Sequence, residues 1–282
     1  MEMVETKIIA LLSAAVLAAS CSPSFTWREV PVDGHRTGVT AASANNVPEA
    51  MGTISDGVYT APNGTVFDCG STPVMARAML DVQPRMSVLK QTVGYCATPL
   101  LRTYPESPLG DLIADLIASR TAEITGRRVD VGIINNGGIR IDLPEGEILL
   151  DDLKSMLPFK NRLCLVVLKG ADLQYIFDFM ARTRMMSLSG VRIVTCGGKV
   201  ESALIGGKPL DPEAIYNVAT VDFLLDGGDS LYVARNAKEL IITEEDDLYP
   251  LLYHVQELTS RGDSLKSFAD GRIVIKDWEE KK

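Results

Sequence analysis

Three short loops concentrate the residue types that can hold a small polar ligand. The first is Asn135-Asn136-Gly137-Gly138-Ile139-Arg140. Its glycines let backbone amides come close to a ligand, and Arg140 offers a forked guanidinium to an oxyanion. Asn-Gly is also the commonest hairpin signal, so this loop alone is ambiguous. The second loop, Pro158-Phe159-Lys160-Asn161, sets an aromatic ring in polar company. That ring reads as an exposed stacking face or, on composition alone, as a core plug. The third, Asp222-Phe223-Leu224-Leu225-Asp226-Gly227-Gly228-Asp229, puts another phenylalanine ahead of a glycine pair flanked by acids. An acid beside glycines commonly bonds its own turn, and it can equally accept the two hydroxyls of a sugar.

The rest of the composition narrows what such loops can serve. The chain has 282 residues, 46% of them hydrophobic, enough for a core of substantial size. It carries 28 basic against 37 acidic residues, a net charge of -9. That sign argues against a nucleic-acid partner, while two or three local cations still suffice for a small anion. Only two histidines occur, His35 and His254, far apart in sequence. A histidine-rich metal centre is therefore not expected on this chain. Besides Cys21 there are Cys69, Cys96, Cys164 and Cys196, which an exporting cell could oxidise in three pairings. Cys164 sits in the apolar run Leu163 to Leu168 and reads as a buried small hydrophobe.

Elements that would position the loops are visible on either side of them. Ser107-Pro108 is a helix start, and Leu109, Leu112, Ile113, Leu116 and Ile117 fall on one face of a helix ending near Gly126. A strand over Val129 to Ile134 leads into the first loop. Asp151-Asp152 opens a short helix before Pro158, and the continuous apolar run Leu163 to Leu168 reads as a strand covered on both faces. Leu173, Ile176, Phe177 and Met180 define a helix after Gly170. Strands follow at Val191 to Val194, Val200 to Ile205 and Tyr216 to Val221, then a helix over Leu248 to Leu258 and a strand over Arg272 to Ile275. Upstream, Pro73 to Thr92 has helical spacing that Pro84 should break or kink. Residues 22 to about 65 read as a tether followed by one or two short strands.

The amino terminus reads as a processing segment. Ile8 to Ser20 is a 13-residue apolar run, too short to span a bilayer. Ala18, Ala19 and Ser20 then lead into Cys21, which resembles a bacterial lipoprotein signal with Cys21 as the acylated residue. A plain cleaved signal and a buried amino-terminal helix stay open. The expected organisation is a signal over 1–20, a tether with short strands over 21–65, and one domain over 66–282. The expected location is the periplasm or outer membrane, with the chain held to the membrane by lipid.

The three loops, taken in order, resemble the carboxy-terminal domain of the 5'-nucleotidase family. That family shows a Glu, a Leu-Gly and an Asp, here Glu106, Leu109-Gly110 and Asp115. Asn-Gly-Gly-Gly-Ile-Arg follows, matched by Asn135 to Arg140, and then Pro-Phe-Gly-Asn, matched by Pro158 to Asn161. Leu168-Lys169-Gly170 loosely matches a Leu-Thr-Gly turn. Phe223 with Gly227-Gly228-Asp229-Ser230 matches a Phe followed by Gly-Gly-Asp-Gly. The resemblance implies an α/β fold of α+β character, a layered α/β/β/α sandwich with mixed sheets.

The resemblance also implies roles. Phe159 and Phe223 would sandwich a base, Asp229 would hold the ribose hydroxyls, Arg140 would help hold phosphate, and Asn135, Gly137, Gly138, Asn161 and Gly228 would complete the substrate surface. Departures stand beside these matches. Asn136 and Lys160 replace family glycines. A further family arginine is matched by Thr103, with Arg102 one step away as a candidate. Complete family members carry an amino-terminal domain with two metal ions and a catalytic Asn-His pair. Here about 85 residues precede the matched region, with two histidines in the whole chain and no Gly-Asn-His. No catalytic residue and no metal site are therefore assigned to this chain. A divalent metal pair is expected on a partner metallophosphatase. The expected ligand is a nucleoside monophosphate or related nucleotide. A stand-alone nucleotide- or nucleoside-binding lipoprotein and a non-binding remnant remain as alternatives.

Overall fold

The computed structural model describes residues 37–40, 42 and 45–279. Cys21 and the processing segment lie outside the described residues. The chain divides into two compact units. The first takes residues up to Ala41 with Pro48–Arg77, and the second takes Ala42–Val47 with Ala78–Lys282.

Helix α1 (Val47–Met51), which belongs to the first unit from Pro48 on, precedes a small antiparallel sheet of β1 (Thr53–Ser55), β2 (Val58–Thr60) and β3 (Val66–Phe67). Buried Tyr59 anchors it. Its hydroxyl donates to the Met51 carbonyl at 2.9 Å, and its ring stacks on Phe67 with centroids 5.9 Å apart. Helix α2 (Ser71–Met86) contains the boundary between the units. The expected break at Pro84 does not occur in mid-helix. Pro84 falls in the last turn, and the chain leaves the helix at Met86 instead of continuing to Thr92. Met75, Met79 and Val82 are exposed, so their helical spacing does not mark a core face.

The second unit is a mixed α/β structure. Its largest sheet has five strands in the order β13-β7-β12-β5-β8: β13 (Glu239–Asp246), β7 (Arg162–Lys169), β12 (Ile215–Val221), β5 (Val131–Ile134) and β8 (Ser187–Ser189). β12 runs parallel to β5, and all other neighbours in this sheet are antiparallel. Leu163 to Leu168 are buried along their whole length, as expected of a strand covered on both faces. A second, four-stranded sheet runs β11 (Lys208–Pro209), β10 (Lys199–Ile205), β9 (Val191–Cys196), β14 (Ile273–Ile275), with β9 and β14 parallel. β4 (Thr92–Cys96) and β6 (Gly146–Leu149) pair antiparallel.

Helix α3 (Pro108–Thr125) starts as its sequence requires. Ser107 caps it by accepting the Gly110 N–H at 3.0 Å, Pro108 fills the first turn, and Gly126 ends it with a left-handed backbone at φ 65°. Leu109, Ile113 and Ile117 are fully buried, and the helix lies against β5, β8 and β12. Helix α4 (Leu150–Met156) links β6 to the loop before β7. Helix α5 (Gly170–Arg182) follows β7 directly and touches both β7 and β10, so it lies between strands of the two large sheets. Helix α6 (Leu248–Ser260) packs on β4 and α3.

The Glu106 to Asp115 motif serves this framework. One Glu106 oxygen accepts the N–H groups of Asp270, Gly271 and Arg272 at 2.7, 3.0 and 3.3 Å. Arg272 in turn holds Asp115 through two bonds of 2.9 and 3.1 Å. These contacts fix the start of β14 to the start of α3. Asp111 lies beneath them, 1% exposed, with neither carboxyl oxygen hydrogen-bonded. Burial pushes its acid up to about 8, although Arg272 at 3.7 Å pulls the other way.

Candidate functional site

Sheet polarity brings the three loops to one edge. Val218 and Ala219 of β12 pair in parallel with Val131 and Gly132 of β5, so both strands end on the same side. β7 is antiparallel to β12, with Val221 opposite Leu163, so β7 begins on that side. The loop after β5 carries Asn135 to Arg140, the loop after β12 carries Asp222 to Asp229, and the loop before β7 carries Pro158 to Asn161. Thr220 fastens the two parallel strands just below the loops, its hydroxyl donating to the Ile133 carbonyl at 3.0 Å.

Contacts then chain the loops together. Asn135 is 4% exposed, and its amide nitrogen donates to Asp229 Oδ2 at 2.9 Å. Its amide oxygen is buried without a hydrogen-bond partner. A Cβ on Gly138 would sit 3.0 Å from that oxygen, so a side chain there would crowd it. Asp229 itself is exposed, with a left-handed backbone at φ 48°. A Cβ on neighbouring Gly228 would fall 2.7 Å from the Phe223 ring and 2.0 Å from the Phe223 carbonyl, so only glycine lets the two segments close.

On the other side of the glycine loop, Arg140 donates to the Gly137 carbonyl at 2.8 Å. Its guanidinium lies 5.7 Å from the Phe159 ring centroid. Phe159 is 56% exposed and Phe223 45% exposed. Neither ring is a core plug. Phe159, Arg140, Gly137, Asp229, Gly228 and Phe223 thus form one continuous run of neighbours.

The replaced glycines are informative. Lys160 has φ 54° and Ser230 φ 62°, both in the left-handed region that glycine enters without cost. Asn136 is turned into the protein. Its amide oxygen accepts Ser187 N–H at 3.1 Å and Ser187 Oγ–H at 2.8 Å, while its nitrogen donates to the Met185 carbonyl at 3.2 Å.

Asn161 and Arg102 are likewise committed to the framework. The Asn161 amide donates to Asp247 Oδ2 at 3.1 Å, and the Asp247 N–H returns to the Asn161 carbonyl at 2.8 Å. Burial pushes Asp247 up to about 7; the Asn161 bond opposes this, and the Asp246 and Asp222 charges add to it. The Arg102 guanidinium donates to Asp142 at 2.9 Å and to the carbonyls of Ile139 and Arg140 at 3.2 and 2.7 Å. It clamps the far end of the glycine loop.

A cleft of ≈ 450 Å³ opens beside these loops, with Arg102, Thr103, Asn136, Gly137, Arg184 and Asp229 among its walls. Phe159, Phe223 and Arg140 are not part of that lining. Sequence reasoning misses Arg184 because no motif surrounds it. It arrives through the connection from α5 to β8.

Among the described residues no group of three or more His, Cys, Asp or Glu is placed to hold a metal ion. One Asp-x-His spacing, Asp33-Gly34-His35, stands in the sequence outside the described residues. His254 is the one other histidine of the sequence, and the described residues do not by themselves fit a two-metal phosphatase centre.

Residues 90–235 match the profile of the 5'-nucleotidase, C-terminal domain, family. Protein UshA of Yersinia enterocolitica is 30% identical over 122 residues, covering 42% of this chain and 22% of UshA. A cell wall protein of Listeria monocytogenes is 30% identical over 196 residues, covering 62% of this chain and 24% of its own length. The crystal structure of a 5'-nucleotidase precursor from Thermus thermophilus superposes with a TM-score of 0.65 at 24% identity, over 78% of this chain and 45% of that one. The chain belongs to the 5'-nucleotidase family through its C-terminal domain. It spans less than a quarter of the length of these two curated relatives.

Proposed function

We propose that this chain is the nucleotide-recognition part of a 5'-nucleotidase-type phosphohydrolase, with the hydrolytic metals supplied by a separately encoded metallophosphatase chain. The observation that carries the reading is the convergence of three loops on one sheet edge, joined there by the Asn135–Asp229 hydrogen bond. Phe159 and Phe223 offer exposed ring faces for a base. Asp229 offers carboxylate oxygens for a ribose diol, and Asn135 fixes that carboxylate in place. Arg140, held against Phe159 and the Gly137 carbonyl, offers its remaining donors to a phosphate. Metal ions, when present on the partner, would supply hydroxide and neutralise developing charge. This chain's own residues bind and orient.

Export and anchoring belong to the same proposal. Cys21 follows a short apolar run ending in small residues, so the chain is proposed to be a lipid-anchored exported protein. A Cys21→Ser form should leave the membrane fraction, and its retention there would count against the anchor.

A phosphate-release assay on nucleoside monophosphates, with and without a co-expressed metallophosphatase and divalent metal, tests the enzymatic reading. The chain alone should show negligible turnover. Turnover of roughly 1 per second or above by the pure single chain would overturn the division of labour. Nucleotide binding with no hydrolysis in either arm would support a stand-alone binding protein instead.

A further inference from the structure

We infer that Arg184 forms an oxyanion subsite separate from Arg140, and that Asn136 is the residue that positions it. The inference deepens the nucleotide-recognition reading and rests on it for the sugar-bearing part of the ligand.

Arg184 is the cation of the cleft that has no acidic partner. Among the described residues it makes no side-chain hydrogen bond or ion pair, and its guanidinium carbon lies 4.7 Å from the centroid of the Tyr104 ring. Stacking of that kind orients a guanidinium and leaves its edge donors free. The other arginine in the cleft wall, Arg102, is neutralised by Asp142 and gives its Nε and Nη1 donors to that acid and to two backbone carbonyls, which leaves only its Nη2 edge. The hydroxyls nearby are spent. Thr103 donates to the Glu106 carbonyl, and Ser107 donates to the Leu101 carbonyl while accepting the Gly110 N–H. A phosphate entering this cleft therefore meets Arg184 as the one lining guanidinium not already neutralised by an acid, on a wall shared with Gly137 and Asp229.

The segment carrying Arg184 is fixed on two sides. Asn136 bonds Met185 and Ser187 directly after it. The Tyr104 hydroxyl accepts the Met185 N–H at 3.4 Å, and Tyr104 is backed by Trp278 in an edge contact at 5.8 Å. A glycine at position 136 has no side chain to make the three bonds to Met185 and Ser187. The asparagine therefore ties the glycine loop to the strand that delivers Arg184, so cation and loop move as one body. A ligand whose sugar sits at Asp229 thus has one oxyanion position towards Arg184 and another towards Arg140.

Calorimetric titration of the full-length chain with inorganic pyrophosphate, and separately with adenosine and uridine, tests this. Wild-type protein should bind pyrophosphate, and Arg184→Gln should bind it at least ~10-fold more weakly, as loss of a charge-assisted contact predicts. Nucleoside affinity should stay within about 2-fold, because Arg184 is exposed and its loss leaves the fold intact. Asn136→Gly should reproduce the split, weakening pyrophosphate more than nucleosides, with a melting temperature lowered by the loss of the bonds to Met185 and Ser187. Absent pyrophosphate binding, an unaltered Arg184→Gln, or equal loss for pyrophosphate and nucleosides would overturn the subsite. Pyrophosphate binding that depends on Arg184, in a protein that binds neither nucleoside, would retain the subsite and reject the nucleotide reading.

Discussion

Asn135 and Asp229 lie 94 residues apart in sequence and meet through a single 2.9 Å hydrogen bond. The bond aims a carboxylate that would otherwise turn freely on an exposed loop. Asp229→Asn should therefore weaken ribonucleotides more than their deoxy analogues, read by calorimetry on matched pairs. Equal loss for both sugars would remove the diol from the assignment. Asn135→Ala should cost about 0.5–1.5 kcal/mol of stability, the net worth of one hydrogen bond whose remaining partner, Asp229, reaches water, and should erode the same sugar preference.

Phe159 and Phe223 differ from a core phenylalanine in what truncation does. Phe177, fully buried on α5, should lose about 3–5 kcal/mol on change to alanine. Phe159→Ala and Phe223→Ala should each cost well under that and weaken nucleotide binding roughly 5- to 150-fold, from about 1–3 kcal/mol of stacking. Melting curves beside titrations of the three variants decide it. Unfolding of both exposed-ring variants would contradict the base-sandwich role.

Two buried acids make stability depend on pH in an unusual direction. An unfolded aspartate titrates near about 3.9. Folded Asp111 keeps its proton up to about 8, and Asp247 up to about 7. Between these limits the folded state binds more protons than the unfolded one. Their contribution is fully present below about pH 4 and is lost as pH rises through 7 and 8. Asp111→Asn should flatten the decline between pH 5 and 8, by on the order of a few kcal/mol at most. Denaturant titrations at several pH values measure this, and an unchanged slope would show that Asp111 stays ionised.

Lys160 and Ser230 occupy left-handed backbone without being glycine. Lys160→Gly should be neutral or stabilise by up to about 1 kcal/mol, because relief of the strained φ opposes the added freedom of the unfolded chain. Lys160→Ala keeps the strain and should give no gain. A Lys160→Gly protein that melts well below the parent would mean the lysine side chain carries the loop.

The three loops are readable because each couples a turn signal to an apolar strand. Leu163 to Leu168 and Tyr216 to Val221 announce themselves by apolar runs, and the loops at their ends follow. Other parts have no such signal. β13, Glu239 to Asp246, is an edge strand with Leu240 and Ile242 exposed and three acids near its end, so it alternates poorly and escapes a reading by pattern. β4, β6 and β8 are too short for a period to emerge. The methionines before Pro84 imitate a helix face that faces solvent. Asn136 reads in sequence only as a replaced glycine, and the position of Ser187, 51 residues on, shows it to be a clasp. Arg184 gives no sign at all, since its significance depends on Tyr104 lying beneath it.

The parallel pairing of β5 with β12 also sets the order of assembly. Their contact, marked by the Thr220 to Ile133 bond, closes 87 residues of chain, whereas β9 and β10 form by a local turn. Local closure carries little entropy loss, and long closure can form only after much of the chain is ordered. The edge that carries the three loops therefore depends on the slower of the two closures. Ligand capture can then report on completion of the fold itself: a molecule that binds has already drawn two distant stretches of its chain together.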